Sequence, residues 1–135
     1  MEKTQINNIE LVDTYFKAIQ NGNMEVLASL VDESVVWHQP GNNKFSGVHH
    51  GADSVFALVG GMMEISNGTF KIEKVNIIMA NESRVAAMVT FSGQRNNISM
   101  SMNGVDILTI NQGKITEAWL YSGDQDAEDA FWGKD

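Results

Sequence analysis

The sequence predicts an α+β fold in which helices precede the sheet along the chain. Two observations carry this prediction. In three segments before residue 64, apolar residues recur every three or four positions, as they do in amphipathic helices. From residue 69 onward, apolar and polar residues alternate in four segments that are separated by short turns. Neighbouring strands joined by short turns pair antiparallel, so these four segments predict an antiparallel sheet.

The first predicted helix carries an apolar stripe that includes Ile9, Val12 and Phe16, with Tyr15 at its edge. An Asn-Gly-Asn turn at residues 21–23 ends this helix and begins a short second one. Residues 35–37 are β-branched or aromatic and predict a strand, which His38 ends. Residues 39–50 are rich in Pro, Gly, Asn and Ser and predict a loop. A third helix follows Gly51.

The remaining strands are predicted at residues 69–79, 84–92, 98–110 and 114–122. Residues 124–132 predict a short acidic helix that carries Phe131 and Trp132. At 135 residues, the chain is expected to form a single domain, residues 1–135.

The charge and composition of the chain argue against several kinds of partner and site. The formal charge of −8, without a basic run, disfavours nucleic acid and anionic membranes as partners. The absence of cysteine excludes disulfides and thiolate metal sites. His49 and His50 are adjacent and point apart in an extended chain, so we expect no metal and no cofactor. The opening residues lack the apolar core of a signal peptide, which predicts a cytoplasmic protein.

Some predicted strands are apolar on both faces. In residues 84–92, Val85, Ala87 and Val89 lie on one side, and Ala86 and Met88 on the other. Helices on one face of the sheet leave the second face to be covered by a partner. A homodimer through the sheet is therefore expected.

Asp106 is the strongest candidate for a site residue. On the long strand it is the only ionisable residue among the even positions, which include Met102, Gly104 and Leu108. A buried carboxyl there is costly unless it is neutral or hydrogen-bonded. The alternative is a bulge at Gly104, which would turn Asp106 to solvent. The inward orientation is the favoured one.

Two further polar residues are candidates, each with a structural alternative. His38 ends an apolar strand, and a histidine there is either a hydrogen-bonded core or rim residue or part of a site. Tyr15, beside the stripe of the first helix, is either a core aromatic or a hydrogen-bond donor in a pocket.

Four stretches of the chain carry a resemblance to a known family: "YFKAIQNGNMEVLASLVDESVVWHQPG", "SGVHHGADSVFALV", "VDILTINQGKITEAW" and "GDQDAEDAFWG". Their order and spacing resemble the nuclear transport factor 2-like superfamily, in the branch of ketosteroid isomerase and SnoaL-like polyketide cyclases. The resemblance implies a cone-shaped, curved antiparallel sheet wrapped around three N-terminal helices, with a ligand pocket inside. The residues expected to line that pocket are Trp37, Phe56, Val89, Phe91, Met102, Leu108, Ala118 and Leu120.

The resemblance also implies roles for single residues. The family's base position, nine residues before the glycine of a Ser-Gly pair, falls on His38. Its oxyanion tyrosine falls on Tyr15 and its protonated aspartate on Asp106. Histidine at the base position departs from the ketosteroid isomerase pattern. In SnoaL-like cyclases, the resemblance suggests that Asp106 moves protons while a histidine assists. The alternative is that His38 and Asp106 only pair with each other.

The function expected from this resemblance is acid/base proton transfer next to a carbonyl of a small apolar, steroid- or polyketide-like compound, which gives isomerisation or cyclisation. The alternative is a non-catalytic small-ligand-binding protein of the same fold. A third hypothesis is an interaction module with a surface patch near Phe131 and Trp132. Epoxide hydrolysis or dehydration ranks lower, with Arg84 and Arg95 near strand ends as its candidate arginines.

Overall fold

The computed structural model describes residues 3–134 and has the α+β architecture that the sequence predicts. The helices are α1 (Lys3–Asn21), α2 (Met24–Leu30), α3 (Ala52–Ile65) and α4 (Gln125–Trp132). The strands are β1 (Val31–Gln39), β2 (Gly47–His50), β3 (Lys71–Asn81), β4 (Arg84–Arg95), β5 (Ile98–Asn111) and β6 (Lys114–Ser122). Among the helices within residues 3–134, none combines the length and apolarity needed to cross a membrane.

One sheet contains all six strands, in the order β2-β1-β6-β5-β4-β3. Neighbours pair antiparallel except β1 and β6, which run parallel. This pair differs from the expected antiparallel sheet because one helix, α3, and four strands separate β1 from β6 along the chain, so the short-turn rule does not apply. Register shifts in the β1/β6, β3/β4 and β5/β6 pairs bend the sheet.

The predicted loop at residues 39–50 is only partly a loop. Residues 47–50 form β2, an edge strand that pairs antiparallel with the end of β1 through Val36↔His50 and Gln39↔Gly47. The sequence of β2, Gly-Val-His-His, lacks the alternation of apolar and polar residues that marks a half-buried strand. As an edge strand, β2 pairs only with β1. The prediction of a loop was wrong there.

Helix α1 packs on the inner face of the sheet and forms the main core with it. Val12 and Phe16 of α1 are 0% and 1% exposed, and Val85 of β4 and Leu108 of β5 are fully buried. The alternation of β4 and β5 sends one set of side chains into this core and the other set to the outer face. The two faces of the sheet therefore have separate environments.

Helix α4 closes one end of the core. Phe131 and Trp132 have no exposed surface, and the ring of Trp132 meets those of Phe45, Phe70 and Phe131 edge-on. These two residues are core side chains, so the hypothesis of a surface patch around them was wrong. The predicted acidic helix carrying both residues is confirmed.

Polar contacts fasten α4 to the loop that follows β1. The carboxylate of Asp129 accepts hydrogen bonds from the backbone N–H of Asn42 and the side-chain amide of Asn43, at 3.0 and 2.8 Å. Burial acts to raise the pKa of Asp129, but these bonds, together with one from the Gln125 side chain, outweigh it and lower the pKa. Arg95 of β4 donates to the backbone carbonyls of Phe131 and Trp132 at the end of the helix. Both sets of contacts fasten the C-terminal half of the helix.

Candidate active site

Asp106 lies on the inner face of the sheet, as its strand position predicts. The β4/β5 ladder is unbroken from Arg84↔Thr109 to Arg95↔Ile98, so no bulge occurs at Gly104. Gly104 is needed for space instead, because a Cβ there would lie 2.9 Å from the Phe91 ring and 2.9 Å from the Tyr121 carbonyl oxygen. The predicted register is confirmed, and Asp106 shares the face of Leu108.

The carboxyl of Asp106 has no partner within the described part of the protein. The residue is 9% exposed, and among residues 3–134 no side chain or backbone group is hydrogen-bonded to it and no cation forms an ion pair with it. Burial, together with the smaller effect of the negative charge of Glu128, raises the pKa of Asp106 to about 7. Near neutral pH this carboxyl therefore exchanges between its acid and base forms.

Tyr15 of α1 faces the same interior. It is 5% exposed, its ring packs edge-on against Phe16 at 5.1 Å, and no described residue is hydrogen-bonded to its hydroxyl. Burial raises the pKa of Tyr15, and the charge of Asp106 raises it further, so the phenol stays neutral. The structure thus brings together a neutral hydroxyl donor and a carboxyl with a raised pKa.

His38 lies on the opposite face of the sheet. Its Nε2 is 2.7 Å from a carboxylate oxygen of Glu117, and its ring stacks on Trp119 at 5.2 Å with an interplanar angle of 3°. The guanidinium of Arg84 covers the same indole at 5.3 Å. The predicted convergence of His38 with Tyr15 and Asp106 was wrong, and so was the alternative of a His38–Asp106 pair.

The error comes from the two-residue period of β1. Val35 and Val36 are both apolar, so the sequence does not show which of them faces inward. In the structure Val35 is fully buried, which sends Trp37 and Gln39 inward and His38 outward. A slip of one residue exchanges the two faces of the strand.

Gln39 is an inward polar residue that the sequence reasoning missed. It is 7% exposed, and its side-chain oxygen accepts a hydrogen bond of 3.0 Å from the indole N–H of Trp37. No described residue accepts a hydrogen bond from its NH₂ group, which leaves two donors available. If Val35 is taken as the inward residue, the two-residue period of the strand predicts that Gln39 also points inward.

Glu128 of α4 is a second inward polar residue that was missed. It is 4% exposed and accepts hydrogen bonds from the Ser122 hydroxyl at 2.5 Å, the Gln125 side-chain amide at 3.2 Å and the Trp132 indole at 3.3 Å. A usable signal existed, because Glu128 precedes Trp132 by four residues and therefore shares its helix face.

The eight residues expected to line the pocket lie in one apolar cluster. Trp37, Val89, Phe91, Leu108 and Ala118 are buried in it, and Phe56, Met102 and Leu120 are partly buried against it. Two surface grooves lie elsewhere, one between α1 and the β3/β4 and β5/β6 turns and one along the ends of β3, β4 and β5. Neither groove includes Tyr15 or Asp106. Contact of the eight residues with a ligand remains a prediction.

Residues 3–134 contain no cluster of three or more His, Asp or Glu side chains with the spacing of a metal site. Two carboxyls, those of Asp106 and Glu128, lie on the inner side of the sheet, which is fewer than such a site needs. Tyr15 and Gln39 are further polar residues on that side. What the arrangement offers chemically is hydrogen-bond donation and proton exchange in an apolar surrounding.

A bent six-stranded sheet folded over α1 is the architecture of the cystatin-like, nuclear transport factor 2-like folds. More particularly, the chain belongs to the SnoaL-like domain family, which matches residues 12–118. This confirms the family resemblance seen in the sequence. No curated protein sequence matches the chain.

Solved structures agree with this assignment. A protein of unknown function with a cystatin-like fold from Xanthomonas campestris is 47% identical, with a TM-score of 0.91 over 93% of this chain and 98% of that one. Bal32a, from a soil-derived mobile gene cassette, is 25% identical, with a TM-score of 0.92 over 96% and 99% of the two chains. A putative SnoaL-like polyketide cyclase from Jannaschia sp. CCS1 shares the fold at 13% identity and a TM-score of 0.77, over 91% and 90%.

The raised pKa of Asp106 predicts how stability depends on pH. At pH values between the ordinary carboxyl pKa of 3.8 and the folded value of about 7, the carboxyl of Asp106 is protonated in the folded chain and ionised in the unfolded chain. The contribution of Asp106 to the free energy of unfolding therefore falls as pH rises through this window, by at most ~1.4 kcal/mol per pH unit. Asp106→Asn removes this dependence.

Urea unfolding of wild type and Asp106→Asn at pH ~5 and pH ~8 checks this. As the pH is raised from the lower to the higher value, the free energy of unfolding of the variant is expected to increase relative to that of wild type. Using the difference between the two proteins cancels the contributions of the groups that they share. A difference that stays constant with pH would contradict the burial of an ionisable Asp106.

Proposed function

We propose that this protein is an enzyme that moves a proton next to a carbonyl of a small, largely apolar compound, giving isomerisation or cyclisation. The observation that carries the proposal is the unpartnered carboxyl of Asp106, whose burial raises its pKa to about 7, facing the same interior as the Tyr15 hydroxyl. A general base is most effective when its pKa lies near the working pH. A buried polar group without a partner costs stability, and a ligand that fills its hydrogen bonds offsets that cost.

In the proposed step, the ionised form of Asp106 takes a proton from the carbon next to the carbonyl. The electron pair of that C–H bond becomes the enolate, whose oxygen accepts a hydrogen bond from the neutral hydroxyl of Tyr15. Asp106 then returns the proton to a different carbon, which completes an isomerisation. In a cyclisation, the enolate carbon attacks a second carbonyl of the same molecule, and the proton goes to the new alkoxide.

The surroundings of these two groups suit an apolar substrate. Trp37, Phe91 and Leu108 contribute aromatic and aliphatic surface on the inner face, and such surface favours a ligand that is also apolar. The free amide hydrogens of Gln39 are positioned on the same face to donate to a second substrate oxygen. In this proposal His38 has no part, because it lies on the outer face with Glu117 and Trp119.

Deuterium exchange tests the proposed reaction. Small cyclic ketones and a β-diketone are incubated with the protein in D₂O, and loss of the α-proton signal is followed by NMR. Asp106→Asn is expected to lower the rate by roughly 10²- to 10⁴-fold, the range for a lost general base. Tyr15→Phe is expected to lower it by ~10²-fold, because the enolate loses a hydrogen-bond donor.

His38→Gln is the matched control, since it changes a titratable residue on the outer face of the same sheet. Its exchange rate is expected to equal that of wild type. If wild type binds the ketones in the interior without accelerating exchange, the protein is a non-catalytic ligand-binding protein. If exchange depends on His38 and not on Asp106, the proposed roles are wrong.

The outer face of the sheet supports a second proposal, which concerns assembly. Cross-strand neighbours Ile77, Met88, Val105 and Tyr121 form one apolar row, and Met79, Ala86, Ile107 and Trp119 form the next. Four of these residues expose much of their surface: Ile77 (49%), Met79 (61%), Met88 (40%) and Tyr121 (62%). A contiguous apolar face of this kind on a monomer marks an interaction site. Because each copy presents the same face, a second copy packed sheet to sheet fits it.

The assembly proposal predicts a dimer in solution. Sedimentation at micromolar concentration should give about twice the mass of one chain, because a large apolar interface forms stable dimers. Met88→Asp places a charge in the centre of the face and is expected to give the single-chain mass. Ile6→Asp, at an exposed apolar residue of α1, should leave the dimer intact. A wild-type protein that sediments as a single chain would refute the proposal.

A further inference from the structure

Glu128 is a buried carboxylate that the proposed proton transfer does not use. It lies on α4, is 4% exposed, and is held by three hydrogen bonds, each from a donor: Ser122, Gln125 and Trp132. A carboxylate whose partners all donate has its lone pairs satisfied in the ionised form. The side chain is therefore a fixed negative charge rather than a mobile surface group.

The strand register places this charge close to Asp106. Ser122, which donates to Glu128, lies opposite Gly104, and Leu120 lies opposite Asp106. Gly104 and Asp106 are two residues apart on the same face of β5, which corresponds to ~7 Å along the strand. Glu128 therefore lies at the inner face, displaced from Asp106 along β5 by about one pair of residues.

No positive charge offsets this pair of carboxyls within residues 3–134. None of the ion pairs formed by the described residues includes Asp106 or Glu128. Arg95, the cation beside α4, directs its guanidinium to the carbonyls of Phe131 and Trp132. The group facing Asp106 from α1 is the neutral phenol of Tyr15. The field at Asp106 is therefore set by burial and by Glu128.

We infer that Glu128 is a positioning residue whose fixed negative charge keeps a proton on Asp106 near neutral pH. Two carboxyls in one apolar interior ionise less readily together than apart, and the one with three donors keeps the negative charge. Asp106, which has no donor, holds the proton. Helix α4 thereby sets the protonation of the group that faces the interior, and the catalytic meaning of this rests on the proposed function.

Carboxyl-carbon NMR titration of Asp106 tests the inference without any substrate. The Asp106 signal is assigned by its loss in Asp106→Asn and followed with pH in wild type and in Glu128→Gln. The titration midpoint of Asp106 is expected to move to lower pH by ~1.7 units, the scale set by one charge at roughly 7 Å in a medium of effective dielectric about 20. A midpoint that stays in place would overturn the inference.

Two variants separate charge from structure. Asp126→Asn removes an exposed negative charge from the same helix and is expected to leave the midpoint unchanged. Ser122→Ala removes a hydrogen bond to Glu128 but keeps its charge, so the midpoint should stay raised. If Ser122→Ala lowered the midpoint as much as Glu128→Gln, the effect would be structural and the inference would be wrong. A wild type with the raised midpoint but no α-proton exchange would contradict the proposed function alone.

Discussion

The burial of one unpartnered carboxyl, Asp106, is the constraint on which the site depends. Its cost is visible in the raised pKa, and the chain places it beside Leu108 in an apolar face rather than turning it to solvent. A bulge at β5 would have released it, but the ladder with β4 is unbroken. Gly104 serves this register, since any side chain there would meet the ring of Phe91. The sheet therefore maintains an arrangement that its own stability does not favour, which is typical of functional sites.

Helix α4 connects the closure of the fold to the electrostatics of this site. Trp132 fills the end of the core and donates to Glu128, so one side chain contributes both to packing and to fixing a charge. Asp129 ties the same helix to the loop after β1, and that loop follows the strand that carries Gln39 inward. Helix α4 therefore contacts both the loop that follows β1 and, through Glu128, the inner side of the sheet.

The sequence predicted the fold class, the inward register of Asp106 and the acidic helix at the end of the chain, because each follows from a local period. It placed His38 on the wrong face since Val35 and Val36 are both apolar, and a period of two needs one unambiguous residue to set its phase. β2 was missed because Gly-Val-His-His has no pattern of its own and is ordered by pairing with β1. The roles of Gln39 and Glu128 depend on contacts between distant segments, which no local pattern contains.

The proposed function requires that ligands with an enolate-like oxygen bind at the inner face between Tyr15 and Asp106. A crystal structure of the protein with a substituted phenol, a mimic of an enolate, tests it most directly. The phenol oxygen is expected within hydrogen-bonding distance, roughly 2.5–3.2 Å, of both the Tyr15 hydroxyl and the Asp106 carboxyl. A phenol bound only on the outer face beside His38 and Trp119, with the interior filled by protein side chains, would contradict the claim.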